Sequence, residues 1–233
     1  MIAVVIPTRN LAYQSPQYRD FPTILIQDSR GEGFAKTCNR GLALAQKQKK
    51  KWVLICNDDA QIQEQDIHLL IARITDQIGV IGPVIMADQK IQSAGISVSR
   101  WGRLQLRNSI TFRPPDALSG ACFLVPSWIR FEDGYPHGFE DIALCFFLKK
   151  RGFTLSLVHD AICQHRGGGT LQHRTKDWYA FSIYGQLRLF SQYRNIPLIL
   201  LLAMLQIKTD TEGWKGFRKA LSMWKNQRFF TVT

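Results

Sequence analysis

The sequence lacks the patterns that mark several common classes of protein. Its five cysteines form no C-x-x-C pair, so a zinc knuckle is not indicated, and each stands among apolar or small residues, as expected of a buried thiol. There is no G-x-x-x-x-G-K-[ST] motif, which argues against a P-loop. The longest apolar stretch, residues 196–207, is about a dozen residues long, whereas a helix needs roughly 20 to span a bilayer.

A secretory leader is not recognisable either. The apolar run at residues 2–6 is shorter than the h-region of a signal peptide, and no basic segment precedes it. Together with the unpaired cysteines, this predicts a cytoplasmic protein. With 45% apolar residues in 233, the chain can bury the core of one large domain, or of one domain with an appendage.

Acidic residues are few, because 18 Asp and Glu stand against 30 Lys and Arg, which gives a net charge of +12. Residues 172–233 hold about seven of these excess charges, since ten basic residues there face three acidic ones. This surplus favours an anionic partner. Aromatic residues interleave with the basic ones in this tail. The pattern fits two helices packed on the core, an amphipathic helix at the inner face of a membrane, or, less well, a nucleic-acid site.

Most of the chain alternates between strand and helix patterns. The predicted elements are strands at 2–6, 23–27, 52–56, 80–84, 121–125 and 153–159 and helices at 34–48, 63–77 and 141–151. The alternation predicts an α/β fold with a mostly parallel central sheet. Residues 91–125 carry short runs with turns at Gly95 and Trp101-Gly102, which predict a small antiparallel region. We expect a catalytic domain at 1–175 and a basic, aromatic helical extension at 176–233.

The first candidate site follows the third strand. Asn57-Asp58-Asp59 lies where that strand ends, and ligands of open α/β sheets bind beyond the carboxyl ends of the strands. Neighbouring carboxylates there must be solvated, paired or bound to a cation. Their oxygen atoms suit Mg²⁺ or Mn²⁺, which proteins bind with one or two carboxylates plus substrate phosphates. The alternative interpretation is a polar turn without a ligand.

The second candidate site is Gly138-Phe139-Glu140-Asp141, directly before a predicted helix. Its carboxylates stand where the helix dipole favours negative charge, so a helix cap is one interpretation. The other is a general base that takes a proton from an acceptor hydroxyl.

The third candidate site is residues 165–170, where His165 and Arg166 precede Gly167-Gly168-Gly169 and a threonine. Glycines let backbone amides approach an anion closely, and the arginine can neutralise phosphate. The histidine could complete a metal shell, although a purely structural histidine is the alternative.

Taken in order, these residues resemble inverting glycosyltransferase family 2, which has the Rossmann-like GT-A fold, and most of all its rhamnosyltransferase-like members. The resemblance covers roughly residues 1–175. The matching segments are the first strand and its turn at 4–10, a G-x-a-x-x-x-N-x-G helix at 33–41, a variant of the D-x-D metal motif at 56–59, a small-residue segment at 119–125, an E-D motif at 138–144, and His165 with the glycines that follow.

The resemblance implies a metal-dependent transfer of sugar from a UDP-, dTDP- or GDP-linked donor to a saccharide or lipid-linked acceptor, in the synthesis of cell-surface polysaccharide or glycolipid. Asp141 would be the catalytic base, with Glu140 as the alternative. Asp59 and His165 would bind Mn²⁺ or Mg²⁺. The residues implied to bind the nucleotide-sugar are Pro7, Thr8, Arg9, Asp28, Asn39, Asn57, Asp58, Gly120, Ala121 and Arg166.

The sequence departs from the family pattern in two places. Pro16 and Pro22 fall where a full helix would follow the first strand, so we expect that helix to be missing or much reduced. After Asp28, a second aspartate of the family is absent or replaced by Glu32. Two other functions stay open: a sugar-nucleotide nucleotidyltransferase, although no basic glycine-rich loop follows the first strand, and a non-catalytic nucleotide- or nucleic-acid-binding protein.

Overall fold

The structure, a computed structural model, describes residues 2–99, 104–166, 175–193, 207 and 210–227. The turn predicted at Trp101-Gly102 and the glycines at 167–169 with Thr170 lie outside the described residues. The helices are α1 (Phe34–Lys47), α2 (Glu64–Ile71), α3 (Glu140–Lys150), α4 (Lys176–Tyr193) and α5 (Thr211–Gln227). The strands are β1 (Ile2–Thr8), β2 (Thr23–Gln27), β3 (Trp52–Cys56), β4 (Ala60–Ile62), β5 (Ile78–Ala87), β6 (Lys90–Ser93), β7 (Ile96–Val98), β8 (Leu104–Leu106), β9 (Cys122–Pro126) and β10 (Thr154–His165).

The central sheet has the order β2-β1-β3-β9-β5-β10-β4, with β6 paired to β5. Strand β1 is parallel to β2 and β3, and β10 is parallel to β5. Strand β9 runs antiparallel to both β3 and β5. The predicted α/β fold with a mostly parallel sheet is therefore confirmed. The small antiparallel region corresponds to β6, which is antiparallel to β5, and to a separate two-stranded sheet of β7 and β8.

Helix α1 packs on β1 because its small residues recur at helical spacing. Ala35, Cys38, Leu42 and Ala45 are all buried. Gly41 lies so close to Val5 that a Cβ atom would overlap the valine side chain. The glycine thus lets α1 approach β1 closely at Val5.

Helix α2 ends at Ile71, six residues before the predicted end. The N–H groups of Arg73 and Ile74 bond to carbonyls only three residues earlier, at Leu70 and Ile71. This tighter pattern is typical of the last turn of a helix. Ile74 nevertheless packs against the core, which explains why the apolar spacing of the sequence suggested a longer helix.

Strands β5 and β10 are both longer than predicted. The prediction ended β5 near Pro83. In the structure Pro83 pairs with Val158 of β10. Strand β10 then bulges, and its pairing with β5 resumes between Ile162 and Val84. A proline without an N–H group is tolerated at a bulge. Buried Asp66 accepts the N–H of Ile162 at 3.0 Å through Oδ1, which holds the bulge in place.

Residues 9–22 contain no helix, as expected from Pro16 and Pro22. The segment instead lays Tyr13, Tyr18 and Phe21 against the hydrophobic core. The packing of these three aromatic side chains on the core holds the segment in place after β1 without a helix.

The described chain forms two compact units. The first comprises Met1–Ser97, Gln105–Asp133 and Glu140–Gly167, and the second comprises Val98–Leu104, Gly134–Phe139 and Gly168–Thr233. The functional division predicted at residue 175 stays a prediction.

In the second unit, α4 and α5 pack together through Gly216, which lies against the backbone of α4 and Tyr179. Asp210 caps α5 by accepting the N–H groups of Glu212 and Gly213 through Oδ1. Its other oxygen accepts the Tyr179 hydroxyl at 2.6 Å. Among the described residues, no helix combines the length and the hydropathy that crossing a bilayer demands.

Candidate functional site

The Asn57-Asp58-Asp59 motif follows β3 directly, next to the end of β1. The N–H of Asn57 donates to the carbonyl of Ala121 at 2.9 Å, which ties the motif to the segment before β9. The hydroxyl of Thr8, the last residue of β1, donates a short hydrogen bond to Asp58 Oδ2. Two neighbouring parallel strands therefore bring these predicted site residues together at the carboxyl edge of the sheet.

The side-chain oxygen of Asn57 is buried and accepts no hydrogen bond from any residue that the structure describes. A buried acceptor without a partner costs about 1–3 kcal/mol. Such a cost is sustained when a ligand supplies the missing donor or cation. The orphaned oxygen therefore marks a place at the end of β3 where a hydrogen-bond donor or a cation is missing.

Asp59, which follows β3, contacts His165, the last residue of β10. Asp59 Oδ1 and His165 Nε2 lie 3.2 Å apart. The Nδ1 atom of His165 lies 2.7 Å from Gln92 Oε1. An amide oxygen can only accept, so the Nδ1–H group donates the hydrogen bond. In the imidazolium form Nε2 carries a second proton, which faces the Asp59 carboxylate. The hydrogen bond between them lowers the pKa of Asp59 and raises that of His165.

The backbone also holds this pair in register. Strand β4 begins at Ala60, immediately after Asp59, and pairs antiparallel with β10 so that Ala60 faces His165. The N–H of Arg166 then donates to the carbonyl of Asp59 at 3.1 Å. The side chain of Arg166 is exposed, which leaves it available to an anion.

The donor set fits a hard divalent cation. Two ligands at right angles on an ion with bonds of about 2.1 Å lie roughly 3 Å apart. The separation of 3.2 Å between Asp59 Oδ1 and His165 Nε2 matches this requirement. Carboxylate and imidazole both bind such ions, and a histidine ligand commonly donates its other N–H to an oxygen acceptor, as His165 does to Gln92.

Asp28 is engaged by its own chain. Its two oxygens accept the N–H of Glu32 at 2.6 Å and of Gly33 at 3.0 Å, and Arg9 Nε lies 3.3 Å from Oδ2. Burial raises the pKa of this carboxyl, but the two backbone donors and Arg9 outweigh it, so the net pKa is lowered. Asp28 thereby shapes the turn between β2 and α1, and its contact with a nucleotide stays a prediction.

Asn39 and Pro7 also have local partners. The Asn39 side chain donates to the carbonyl of Phe131 at 2.9 Å and accepts its N–H at 2.8 Å, which ties α1 to the segment after β9. Pro7 is buried in β1 opposite Ile26. Both residues position the elements around the site, and a direct contact with the nucleotide-sugar stays a prediction.

Asp141 lies in the first turn of α3 and touches the segment that contacts Asn57. Its Oδ2 accepts the N–H of Gly120 at 2.7 Å, and Oδ1 accepts the N–H of Ile142 at 2.8 Å. A Cβ at Gly120 would stand 2.9 Å from Asp141 Cβ, so the glycine permits this approach. Burial raises the pKa of Asp141, although these two donors offset part of the effect. Glu140 is more deeply buried, with 4% of its surface exposed.

Residues 120–121 therefore connect the acidic motifs. Gly120 binds the carboxylate of Asp141, and Ala121 binds the backbone of Asn57. The predicted base and the predicted metal motif thus share one short stretch of chain. Their catalytic roles stay predictions.

Sequence reasoning missed two residues of the site. Gln92, on β6, orients His165, and no motif in the sequence marked it. Tyr13 is half-buried, and burial, followed by the charges of Cys56 and the two neighbouring aspartates, raises its pKa. A tyrosine in a proline-containing segment without periodicity offers no sequence pattern from which this position could be deduced.

A groove of about 550 Å³ lies at the opposite edge of the sheet, where Trp52 and Ile78 begin their strands. Its other walls include Lys50, Trp128 and Phe153. None of the predicted site residues lines it, so we place the site at the carboxyl edge on the chemistry of its side chains.

The family model for glycosyl transferase family 2 matches residues 7–125, which is 119 of the 233 residues and more than half of the chain. This match includes the end of β1, the turn after β2, α1 and the Asn57-Asp58-Asp59 motif. A search of curated proteins gives no significant match.

Two solved structures share the fold. GalNAc-T7, crystallised with UDP, GalNAc and Mn²⁺, is 12% identical with a TM-score of 0.62, and the match covers 98% of this chain and 56% of that one. This chain therefore spans about half the length of GalNAc-T7. The mannosyltransferase PcManGT from Pyrobaculum calidifontis, in complex with GDP-Man and Mn²⁺, is 12% identical with a TM-score of 0.52, and the match covers 100% of this chain and 76% of that one. The likeness confirms the predicted GT-A fold.

Proposed function

We propose a specific activity for this chain, which belongs to glycosyl transferase family 2: metal-dependent, inverting transfer of a sugar from a nucleoside-diphosphate donor to an acceptor hydroxyl. One observation carries the proposal most directly. Asp59 and His165 place an oxygen and a nitrogen 3.2 Å apart at the end of β3, beside the orphaned oxygen of Asn57. A carboxylate oxygen and an imidazole nitrogen at this separation form the donor set that we propose for a divalent cation, whose other ligands would include the substrate phosphates.

Asp59 and His165 would hold Mn²⁺ or Mg²⁺. When bound, such an ion neutralises the charge that develops on the leaving diphosphate. The nearby cationic side chains of Arg9 and Arg166 are exposed and would add to this neutralisation. We assign the ribose and diphosphate to the neighbourhood of Asn57 and Asp58, where the missing hydrogen-bond donor of Asn57 Oδ1 would come from the ligand.

Asp141 would act as the base on the acceptor side. Its carboxylate takes the proton of the acceptor hydroxyl while the acceptor oxygen bonds to the anomeric carbon. The bond from that carbon to the diphosphate oxygen breaks, and the nucleoside diphosphate departs with the electron pair. A half-buried carboxylate with a raised pKa is a stronger base than an ordinary aspartate, which suits Asp141. Attack opposite the leaving group inverts the anomeric centre.

GalNAc-T7 and PcManGT were crystallised with UDP and GDP-Man respectively. These ligands support a UDP- or GDP-linked donor for this chain, and the family resemblance adds a dTDP-linked donor to the proposal. The acceptor is proposed to be a saccharide or a lipid-linked saccharide in the synthesis of cell-surface polysaccharide or glycolipid. We also propose that the transferred sugar is rhamnose, as in the family members that the sequence resembles most.

A nucleoside diphosphate together with Mn²⁺ should stabilise the protein. A ligand at 100 times its Kd that binds only the native state adds about 2.7 kcal/mol, which for this size is roughly 5–10 °C in Tm. We expect this shift with UDP, GDP or dTDP plus Mn²⁺, and a smaller one with either component alone. If none of the three nucleotides with Mn²⁺ shifts the Tm, the proposed function is wrong.

The exposed face of α5 favours contact with an anionic membrane, which we propose as the place where a lipid-linked acceptor is met. Trp214, Lys215, Arg218 and Lys225 are exposed and share this face by helical spacing. Each basic residue at an anionic surface contributes about 1 kcal/mol. Combined Arg218→Glu and Lys225→Glu should therefore lower binding to vesicles of phosphatidylcholine and phosphatidylglycerol by more than about tenfold.

The matched control reverses two exposed lysines of α1, Lys36→Glu and Lys47→Glu, which leaves the net charge equal to that of the α5 variant. Co-sedimentation of the full chain measures binding. If both variants lose vesicle binding equally, net charge alone explains the effect. If the unmodified chain does not sediment with the vesicles, the proposed membrane contact is wrong.

A further inference from the structure

Three cysteines lie together in the core below the candidate site. We call Cys56, Cys122 and Cys163 the thiol cluster, because their Sγ atoms all lie within 4.8 Å of one another. None of the three is more than 2% exposed. They are far apart in the sequence, which is why their spacing gave no ligand pattern. The proposed activity does not use any of them.

The topology of the sheet brings the three sulfur atoms together. Cys56 is the last residue of β3 and Cys122 the first of β9, and the two face each other across that antiparallel pair. Cys163 comes from β10, after the bulge. The neighbouring core residues, among them Ala60 and Ile62, are apolar.

Apart from one another, the thiols have only weak partners among the residues that the structure describes. Cys56 Sγ lies 3.7 Å from the carbonyl oxygen of Ala60, and Cys163 Sγ lies 3.7 Å from that of Gln164. Thiols are weak hydrogen-bond donors and strong ligands of soft metals. The remaining cysteines, Cys38 and Cys145, are buried elsewhere, on α1 and α3.

We propose that the thiol cluster is a binding site for one soft cation, of the class that includes Zn²⁺ and Cu(I). Three sulfur ligands with bonds of about 2.3 Å to one ion lie roughly 3.8–4.0 Å apart. Sulfur atoms that already lie within 4.8 Å of one another reach this arrangement by moving less than about 1 Å each. Each thiol that binds gives up its proton to solvent.

This site is separate in chemistry from the one at Asp59 and His165. Thiolates select soft ions, whereas carboxylate oxygens select Mn²⁺ and Mg²⁺. The two sites share strands, because Cys56 directly precedes Asn57 and Cys163 stands two residues before His165. An ion in the thiol cluster would therefore fasten together the strands that present the candidate site.

The test uses the full, reduced, metal-free chain with Mg²⁺ in excess to fill the oxygen site, and no nucleotide. Cd²⁺ is the probe, because its thiolate complexes absorb in the ultraviolet by charge transfer. We expect this absorption to saturate at one ion per chain. Cys122→Ser should weaken Cd²⁺ binding by more than the roughly 10–100-fold that outer-shell changes cause. Cys145→Ser, a buried cysteine outside the cluster, should bind as the unmodified chain does.

Absence of charge-transfer absorption in the unmodified chain would overturn the proposal, and so would equal weakening by Cys145→Ser. Should Cys122→Ser fail to fold, X-ray absorption of the unmodified chain loaded with Zn²⁺ decides instead. Sulfur neighbours at about 2.3 Å support the thiol cluster, and a shell of nitrogen and oxygen alone overturns it. Because no nucleotide is present, these results are independent of whether the proposed sugar transfer is correct.

Discussion

Replacing Asp59 by asparagine is expected to lower sugar transfer at least about a thousandfold while the protein stays folded. Removal of a direct ligand should exceed the roughly 10–100-fold cost of losing an outer-shell partner. Asparagine keeps the size of the side chain and an oxygen toward His165, so the 3.2 Å contact is not replaced by a cavity. What disappears is the negative charge that would hold the cation.

Two measurements check this expectation. Transfer or donor hydrolysis with a Mn²⁺ titration reports the activity, and the Tm with nucleotide and Mn²⁺ reports binding. The Asp59→Asn variant should lose both responses. Asp160→Asn is the matched control, because Asp160 is an exposed carboxylate on β10. If Asp59→Asn keeps full activity at the Mn²⁺ concentrations that suffice for the unmodified chain, Asp59 is not a metal ligand.

The second large effect is expected at Asp141, where asparagine should lower kcat by about 10²–10⁴-fold, the range of general-base catalysis. The amide oxygen can still accept the N–H of Gly120, so the backbone at residues 120–121 keeps its position. Nucleotide and Mn²⁺ should therefore raise the Tm of the variant as they raise that of the unmodified chain. This separates loss of the base from loss of donor binding.

Glu140→Gln is the companion variant, since Glu140 is the alternative base. We expect it to affect stability more than kcat, because its side chain is almost fully buried. If Glu140→Gln abolishes transfer and Asp141→Asn retains more than a tenth of it, the two roles are exchanged.

The pH profile gives an independent check of the base. Burial raises the pKa of Asp141, so the active, deprotonated form should be lost as the pH falls through a value above the ordinary aspartate pKa of about 3.9. This acid limb of kcat/KM should be absent from the residual activity of Asp141→Asn. If Asp141→Asn shows the same acid limb of kcat/KM, the group that titrates is not Asp141.

The sequence was sufficient to predict the elements that consist of continuous apolar runs or regular small-residue spacing. Strands β1, β2 and β3 and helix α1 fall within two residues of their predicted bounds, because local pattern and tertiary burial agree there. Strand β4 was missed because a three-residue strand depends on its partner, β10, and not on its own composition.

The candidate site was predictable to the extent that motifs mark it. Asp59 and His165 were both predicted to be metal ligands, and the structure places Oδ1 and Nε2 of these residues 3.2 Å apart. Gln92 was not foreseeable, because a single glutamine on a short edge strand carries no pattern. The thiol cluster was not predicted for a related reason. Each of its cysteines has the sequence surroundings of a small buried side chain, and only the pairing of the strands shows that the three meet.

The bulge in β10 decides which way the end of that strand faces. Side chains alternate between faces along a strand, so an odd number of extra residues exchanges inward and outward positions. Val158 points into the core before the bulge, and after three extra residues Cys163 does so. His165 lies on the same face of the strand as Cys163. The parity of three residues, 159–161, thus determines that an imidazole, and not the neighbouring Gln164, reaches Asp59.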